Sequence, residues 1–422
     1  MATTDADKSV LRVGHIEVDP PVVLAPMAGI TNAAFRQLCR EQGESRPAVL
    51  RRSERNRISS ASDDEVGGLE RDSGERSEQS NTVAGLYVCE MITSRGLIER
   101  DGKTQQMLQF DPGERVRSVQ LYGVDPTVMA HATEILCNEY GVDHVDLNFG
   151  CPVPKVTRKG GGAALPYKRD RLRMILTTTV RAAARYRVPV TMKTRIGIDD
   201  DHQTFLDAGR IAEESGCAAI ALHGRTAQQA YAGQADWDAI GKLKEHVNIP
   251  VLGNGDIWEA ADALCMIRKT GADGVVIGRG CLGRPWLFRD LADAFAGRQT
   301  QTLPNLGEVM NMLRRHAELL ASLSGELRGL SDLRKHMAWY FKGFPIGGEL
   351  RAQLSMVSSL ADLDELLSQL DPEIPFPTSE LGSPRGRQGA PRATVALPDG
   401  WLTDTSGGDL DLAAAELGIS GG

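Results

Sequence analysis

The sequence lacks the marks of a membrane or exported protein. No apolar run approaches the ~20 residues that span a bilayer, and residues 1–8 lack a basic stretch followed by an apolar one. The expectation is a cytoplasmic protein with no membrane partner. The seven cysteines, Cys39, Cys89, Cys137, Cys151, Cys217, Cys265 and Cys281, are odd in number and scattered. No pair has a metal-ligand spacing such as CxxC, so a disulfide framework and a cysteine zinc site are excluded, and reduced thiols without a metal are expected. An excess of positive charge is also missing. A net charge of −8 argues against a protein that coats nucleic acid without selectivity. It leaves RNA open as a substrate, because a local basic surface decides that.

What is present is glycine, 45 residues of 422, and an alternation of short apolar runs with longer amphipathic stretches from 21 to 296. The spacing predicts strands at 22–26, 86–90, 118–122, 144–148, 190–193, 219–223, 251–253 and 274–278. They are rich in Val, Ile and Leu, as parallel strands buried on both faces should be. Eight such strands, each followed by a helix, give an α/β fold of the (β/α)8 TIM-barrel class. The barrel domain is placed at 15–300, and a small all-helical domain at 306–370. Residues 44–80, rich in Arg, Ser, Glu and Asp, read as a disordered insertion, and 371–422 as a poorly ordered acidic tail.

In a barrel, polar residues at the C-terminal ends of strands line the active site. Here those ends read Pro26-Met27-Ala28, Gln120, Lys193, His223, Asn254-Gly255-Asp256 and Gly278-Arg279. The first would let backbone pass close to a flat ring. The glycine loops after strands seven and eight suit a phosphate, with Arg279 adding a charge-assisted contact. Gln120 and Lys193 suit the polar edge of a flavin, a cation near N1 favouring the reduced, anionic ring. Glycine-rich loops occur in any barrel; six polar strand ends together are the informative feature.

The fourth strand ends in Asp146-Leu147-Asn148-Phe149-Gly150-Cys151-Pro152. A thiol there faces the site, whereas Cys39, Cys137, Cys217 and Cys265 read as small core residues. With an ordinary pKa of ~8.5 a thiol is mostly protonated at neutral pH and suits a general acid. A nucleophilic thiolate, which needs a nearby base or cation, is the open alternative. Lys155, Arg158 and Lys159 follow on the same loop, and Arg334, Lys335 and His336 form a second basic cluster in the helical region. Both suit a polyanion, although the aromatics beside the second cluster could equally pack a core.

Nine stretches, among them APMAGITNAAFRQLC (25–39), DLNFGCPVPKVTRKGGGAAL (146–165), PVLGNGDI (250–257) and LRKHMAWYFKG (333–343), run in order over roughly residues 15–345. On these residues the chain resembles the bacterial tRNA-dihydrouridine synthases. The resemblance implies FMN as cofactor, held by Pro26, Met27, Ala28, Gln120, Lys193, His223, Asn254, Gly255, Asp256, Gly278 and Arg279. It implies NADPH as reductant and tRNA as partner, contacted through Asn148, Lys155, Arg158, Lys159, Arg334, Lys335 and His336. It implies hydride transfer to C6 of a D-loop uridine with Cys151 protonating C5, by a monomer. Residues between Gly43 and Ala84, and the tail, fall outside the shared pattern. A flavin barrel reducing a small pyrimidine or enone, and a non-enzymatic tRNA-binding protein, are the competing readings.

Overall fold

The computed structural model describes residues 10–44, 82–299 and 301–406. Its strands are β1 (Leu11–Val13), β2 (Ile16–Val18), β3 (Val22–Leu24), β4 (Thr82–Val83), β5 (Leu86–Thr93), β6 (Ser118–Tyr122), β7 (His144–Phe149), β8 (Val190–Arg195), β9 (Ala219–His223), β10 (Val251–Asn254) and β11 (Gly274–Ile277). From β3 onward, all but β4 pair in parallel in chain order, and β11 returns to β3 to close the barrel. These are the eight strands expected from the alternation.

The closure follows from which residues the pleat turns outward. Leu24, Val119, Val145, Leu147, Met192 and Leu222 are buried in the layer shared with the surrounding helices. The residues turned inward at the lower end, among them Val23, Val88, Ala219, Ala221, Leu252 and Val276, pack with Leu11, Val13, Ile16 and Val18. The β1–β2 hairpin therefore plugs the floor of the barrel, a function its short length did not advertise. Outer helices begin where the sequence offers a cap. Asp125 accepts the N–H groups of Thr127 and Val128 ahead of Pro126–Asn138, and Asp236 those of Asp238 and Ala239 ahead of Trp237–His246.

β2 also pairs with β4, Val18 opposite Val83. The helix Ala33–Glu44 ends close by: a Cβ at Gly43 would lie 3.7 Å from the Ala84 carbonyl oxygen. Apart from Glu44, the last residue of that helix, the segment 44–80 lies outside the described residues.

The C-terminal region is helical, with Leu306–Ser324 and Glu326–Tyr340 packed as a hairpin and Gly348–Leu354 and Leu360–Leu367 beside it. Leu313, Leu320, Leu330, Leu333 and Tyr340 form its core, which reaches the barrel through Ala34 and Trp286. Phe35 on the first barrel helix packs against His316 and His336, ring centroids 5.5 and 5.7 Å away. That contact seats the helix Glu326–Tyr340 over the mouth of the barrel. Among the described residues, no helix is long and apolar enough to cross a membrane.

One expectation is corrected. Residues 371–406 have little regular secondary structure but are not an ill-ordered tail, since Arg385 and Trp401 are buried against the rest of the protein. The sequence suggested disorder because the apolar anchors here are few and far apart. The acidic residues Asp409, Asp411 and Glu416 lie outside the described residues.

Candidate active site

A cleft of 370 Å³ opens at the C-terminal ends of the barrel strands. Pro26, Met27, Ala28, Gln120, Asn148, Cys151, Lys193, His223, Asn254, Gly255, Asp256, Gly278 and Arg279 all line it. The structure thus brings together every barrel residue singled out from the strand ends.

β7 supplies the centre. Asn148 Nδ2 donates to Gln120 Oε1 at 2.8 Å, and its Oδ1 accepts the backbone N–H groups of Gly150 (3.0 Å) and Cys151 (2.9 Å). Gln120 in turn donates to Asp146 Oδ2 at 2.6 Å, and Thr191 donates to the other carboxylate oxygen at 2.6 Å. One continuous chain therefore links the barrel interior to the cysteine loop. Arg195, buried on β8, completes the hold by donating to the Gly150, Thr226 and Ala230 carbonyls. Burial pushes the Cys151 thiol up, opposed by the Val153 N–H and by the Arg195 and Arg392 charges. The net direction keeps the proton on sulfur near neutrality, as a general acid requires.

The opposite wall is cationic. Burial, with the neighbouring Arg195 charge, lowers Lys193 to about 7. Burial and the Arg195 and Lys193 charges push His223 well below its ordinary value, so its imidazole is neutral. Asp256 does not sit free to meet a ligand. It accepts two 2.8 Å bonds from Arg225 Nη2 and one from the Ala235 N–H at 2.7 Å, and Arg279 lies 3.8 Å away. The Arg279 guanidinium is stacked over Tyr231 and Trp258, 4.7 and 5.1 Å from the ring centroids. Asp256 therefore ties Arg225, buried behind the cleft, to Arg279, which lines it.

This donor set fits the cofactor that the sequence resemblance implies. A Cβ at Gly278 would have only Ala25 Cβ, 3.9 Å away, so the backbone beside Arg279 is left bare to the cleft. Gly255 is at φ +125°, and a Cβ there would come within 2.6 Å of Ala235. Bare backbone, an oriented arginine and a buried lysine make an anion-binding wall. The wall of Pro26, Met27 and Ala28 opposite offers little polar side chain.

The RNA-facing expectations divide. Lys155 and Arg158 are exposed on and after the short helix Pro154–Thr157, beside the cleft. Lys335 is exposed, with its Nζ 3.8 Å from where a Gly29 Cβ would lie, at the barrel rim. Arg334 donates from Nε and Nη2 to the Val357 and Met356 carbonyls and so ties its helix to the chain after Gly348–Leu354. His336 is a correction: it is completely buried between Phe35, His316 and Trp339 and presents nothing to a macromolecule. On its helix it falls on the core face, and the Phe35 docking covers it.

Tyr231, Trp258, Trp339 and Arg387 also line the cleft. Arg195 and Arg225 sit in strand-end motifs and carried a legible polar signal. Tyr231 and Trp258 lie in loops whose course no periodicity gives, and Arg387 belongs to the segment that read as a tail.

Comparison with known proteins shows the family. The family model described as Dihydrouridine synthase (Dus) matches residues 23–374. The chain is 53% identical over 412 residues to the probable tRNA-dihydrouridine synthase of Mycobacterium tuberculosis (strain CDC 1551 / Oshkosh), covering 97% of each. It is 54% identical over 383 residues to that of Mycobacterium leprae (strain TN), covering 90% of this chain and 96% of the other. Against tRNA-dihydrouridine synthase B of Pseudomonas aeruginosa it is 34% identical over 347 residues, 82% of this chain and 91% of the other. Among solved structures, histamine dehydrogenase from Rhizobium sp. 4-9 superposes with a TM-score of 0.48 at 10% identity, covering 87% of this chain and 65% of that one. With its matched family model spanning the barrel and most of the helical unit, the chain belongs to the dihydrouridine synthase family.

Proposed function

We propose that this protein reduces D-loop uridines of tRNA to 5,6-dihydrouridine, with FMN as cofactor, NADPH as reductant and Cys151 as the acid that protonates C5. The observation that carries the reading is the placement of Cys151. Its thiol lines the cleft, fixed through its own N–H by Asn148, and burial holds it protonated. The names of the relatives supply the substrate class.

Arg279, with the bare backbone at Gly278 and Gly255, would hold the cofactor phosphate, and Lys193 and Gln120 would face the polar edge of its ring. Bound there, the flavin would supply the hydride that uracil C6 receives. The other contributions come from the chain itself. A base inside RNA cannot reach a recessed cleft, so the uridine must leave its stack, at a cost of about a few kcal/mol. Lys155, Arg158 and Lys159 on the rim suit the flanking phosphates. Asn148 orients the Cys151 loop so that the thiol proton is presented to one face of the uracil ring. The rim cations are what favour RNA over a small pyrimidine or enone.

The test is Cys151→Ala. The variant should retain its yellow cofactor and lose uridine reduction by about 10²–10⁴-fold, the usual worth of a positioned acid. Full activity in that variant would overturn the acid assignment. Mass spectrometry of tRNA from a deletion strain decides the substrate: unchanged dihydrouridine there would leave the small-molecule reading standing.

A further inference from the structure

The residues from 383 to 406 cross three parts of the molecule. Arg385 Nη1 donates to the Leu282 carbonyl on the barrel (3.2 Å) and to the Trp339 carbonyl on the helical unit (2.9 Å). The Arg387 carbonyl accepts from Arg279 Nη1 at 2.7 Å. The Arg392 N–H donates to the Gln228 carbonyl at 2.9 Å, Gln228 returns a bond to the Ala393 carbonyl at 3.1 Å, and Arg392 Nη1 donates to the Pro152 carbonyl. Trp401 Nε1 then donates to the Ala164 carbonyl at 3.1 Å, Lys168 Nζ sits 5.0 Å from the indole, and the Tyr167 hydroxyl donates to the Leu402 carbonyl at 3.1 Å.

Two of these anchors fall on the loop that carries Cys151. Pro152 is the next residue after the cysteine, and Ala164 closes the loop, whose ends meet through the Ala163 N–H and the Cys151 carbonyl at 3.0 Å. Between them, Gly160 at φ +73° lies against the Trp401 ring: a Cβ there would come within 2.5 Å of it. From the barrel side the loop is held by Asn148 and Arg195. From the other side Arg392 and Trp401 donate to the Pro152 and Ala164 carbonyls.

We propose that this segment is a strap that fixes the geometry of the Cys151 loop, with Arg392 and Trp401 as positioning residues for proton delivery; the proposal rests on Cys151 being the acid. A carbonyl one residue from the reacting thiol is a short lever, and a misplacement near 1 Å can cost about 100-fold. Arg392 also places a cation near the sulfur, where it favours the thiolate against the effect of burial. Removing that cation therefore raises the pH at which the thiol ionises.

The experiment compares wild type, Arg392→Ala and Arg392→Lys as flavin-loaded holoenzymes. Cys151 alkylation by iodoacetamide is followed from pH 7 to 10.5 by peptide mass spectrometry, alongside kcat and KM for tRNA. In Arg392→Ala the alkylation midpoint should move to higher pH and the high-pH plateau should rise several-fold. Its kcat should fall about tenfold or more while KM stays within about twofold, the pattern of an interaction used only in the transition state. Arg392→Lys, which keeps a cation able to reach the Pro152 carbonyl, should restore both. Unchanged midpoint and plateau in Arg392→Ala would overturn the strap whatever happens to turnover. A shifted alkylation profile with unchanged kcat would overturn its part in catalysis. Alkylation reports on the loop whether or not Cys151 is the acid, so loss of the acid assignment through Cys151→Ala is read separately.

Discussion

Lys193 offers a proton count that can be measured without turnover. In the flavin-free protein its ammonium, buried and beside Arg195, is held at about 7 in place of 10.5, with the Asp146 charge opposing the shift. At pH 8.5 such a group carries about 3% of a proton. A hydrogen-bond-accepting ring edge laid against it, with the cofactor phosphate in the same cleft, should return it toward the ordinary range, so FMN binding at pH 8.5 should take up about 0.9 proton. At pH 6.5, where the lysine is already about three-quarters protonated, the uptake falls to about 0.25. Affinity should therefore weaken about tenfold per pH unit above 7. Stability has the opposite slope. The unfolded chain keeps this proton up to 10.5 and the flavin-free fold releases it near 7, so between these values the unfolded state binds more protons. The Lys193 contribution to stability is least favourable below pH 7 and improves as pH rises toward 10.5. Calorimetric titration of apoprotein with FMN in buffers of different ionisation enthalpy gives the count, with Lys193→Met as control. No proton uptake by wild type at pH 8.5, or the same uptake in Lys193→Met, would refute the reasoning.

Two further outcomes follow from the geometry. Arg279→Ala removes the guanidinium that lies over Tyr231 and Trp258, so the protein should be purified with little flavin while melting close to wild type. A fully yellow variant would refute the phosphate role. Glu114→Gln leaves Arg36, wholly buried and bonded to Glu114 at 2.6 and 2.9 Å, without its counter-charge. Chemical denaturation should show a loss of about 3–5 kcal/mol, and a loss below about 1 kcal/mol would mean the pair is not buried as described.

The barrel was legible because each of its strands is a local apolar run, and the cleft because polar residues interrupt those runs at the same end every time. The residues that a strand delivers, Gln120, Lys193, His223 and Asn254, were all placed correctly in the cleft by that rule. What escaped depends on contacts far apart in the chain. Asp256 lines the cleft as expected, but its ion pair with Arg225, which comes from another strand end, was not legible. His336 read as surface because the docking of Phe35, some 300 residues earlier in the chain, is invisible to local pattern. The strap escaped for a third reason: its hold on the protein is mostly hydrogen bonds to carbonyls, and such bonds leave little trace in side-chain periodicity.

The meeting of Gly43 with Ala84 below the barrel has a practical consequence. The chain leaves and re-enters at nearly one point, on the floor side, with the catalytic mouth at the opposite end of the strands. Closing a longer or shorter loop across such a gap changes the free energy by only about 0.6 kcal/mol per doubling of length. The position is therefore a natural port for protein engineering. A fluorescent reporter or affinity module spliced in there would leave the entry of RNA unobstructed, and homologues can diverge in length there without touching the chemistry.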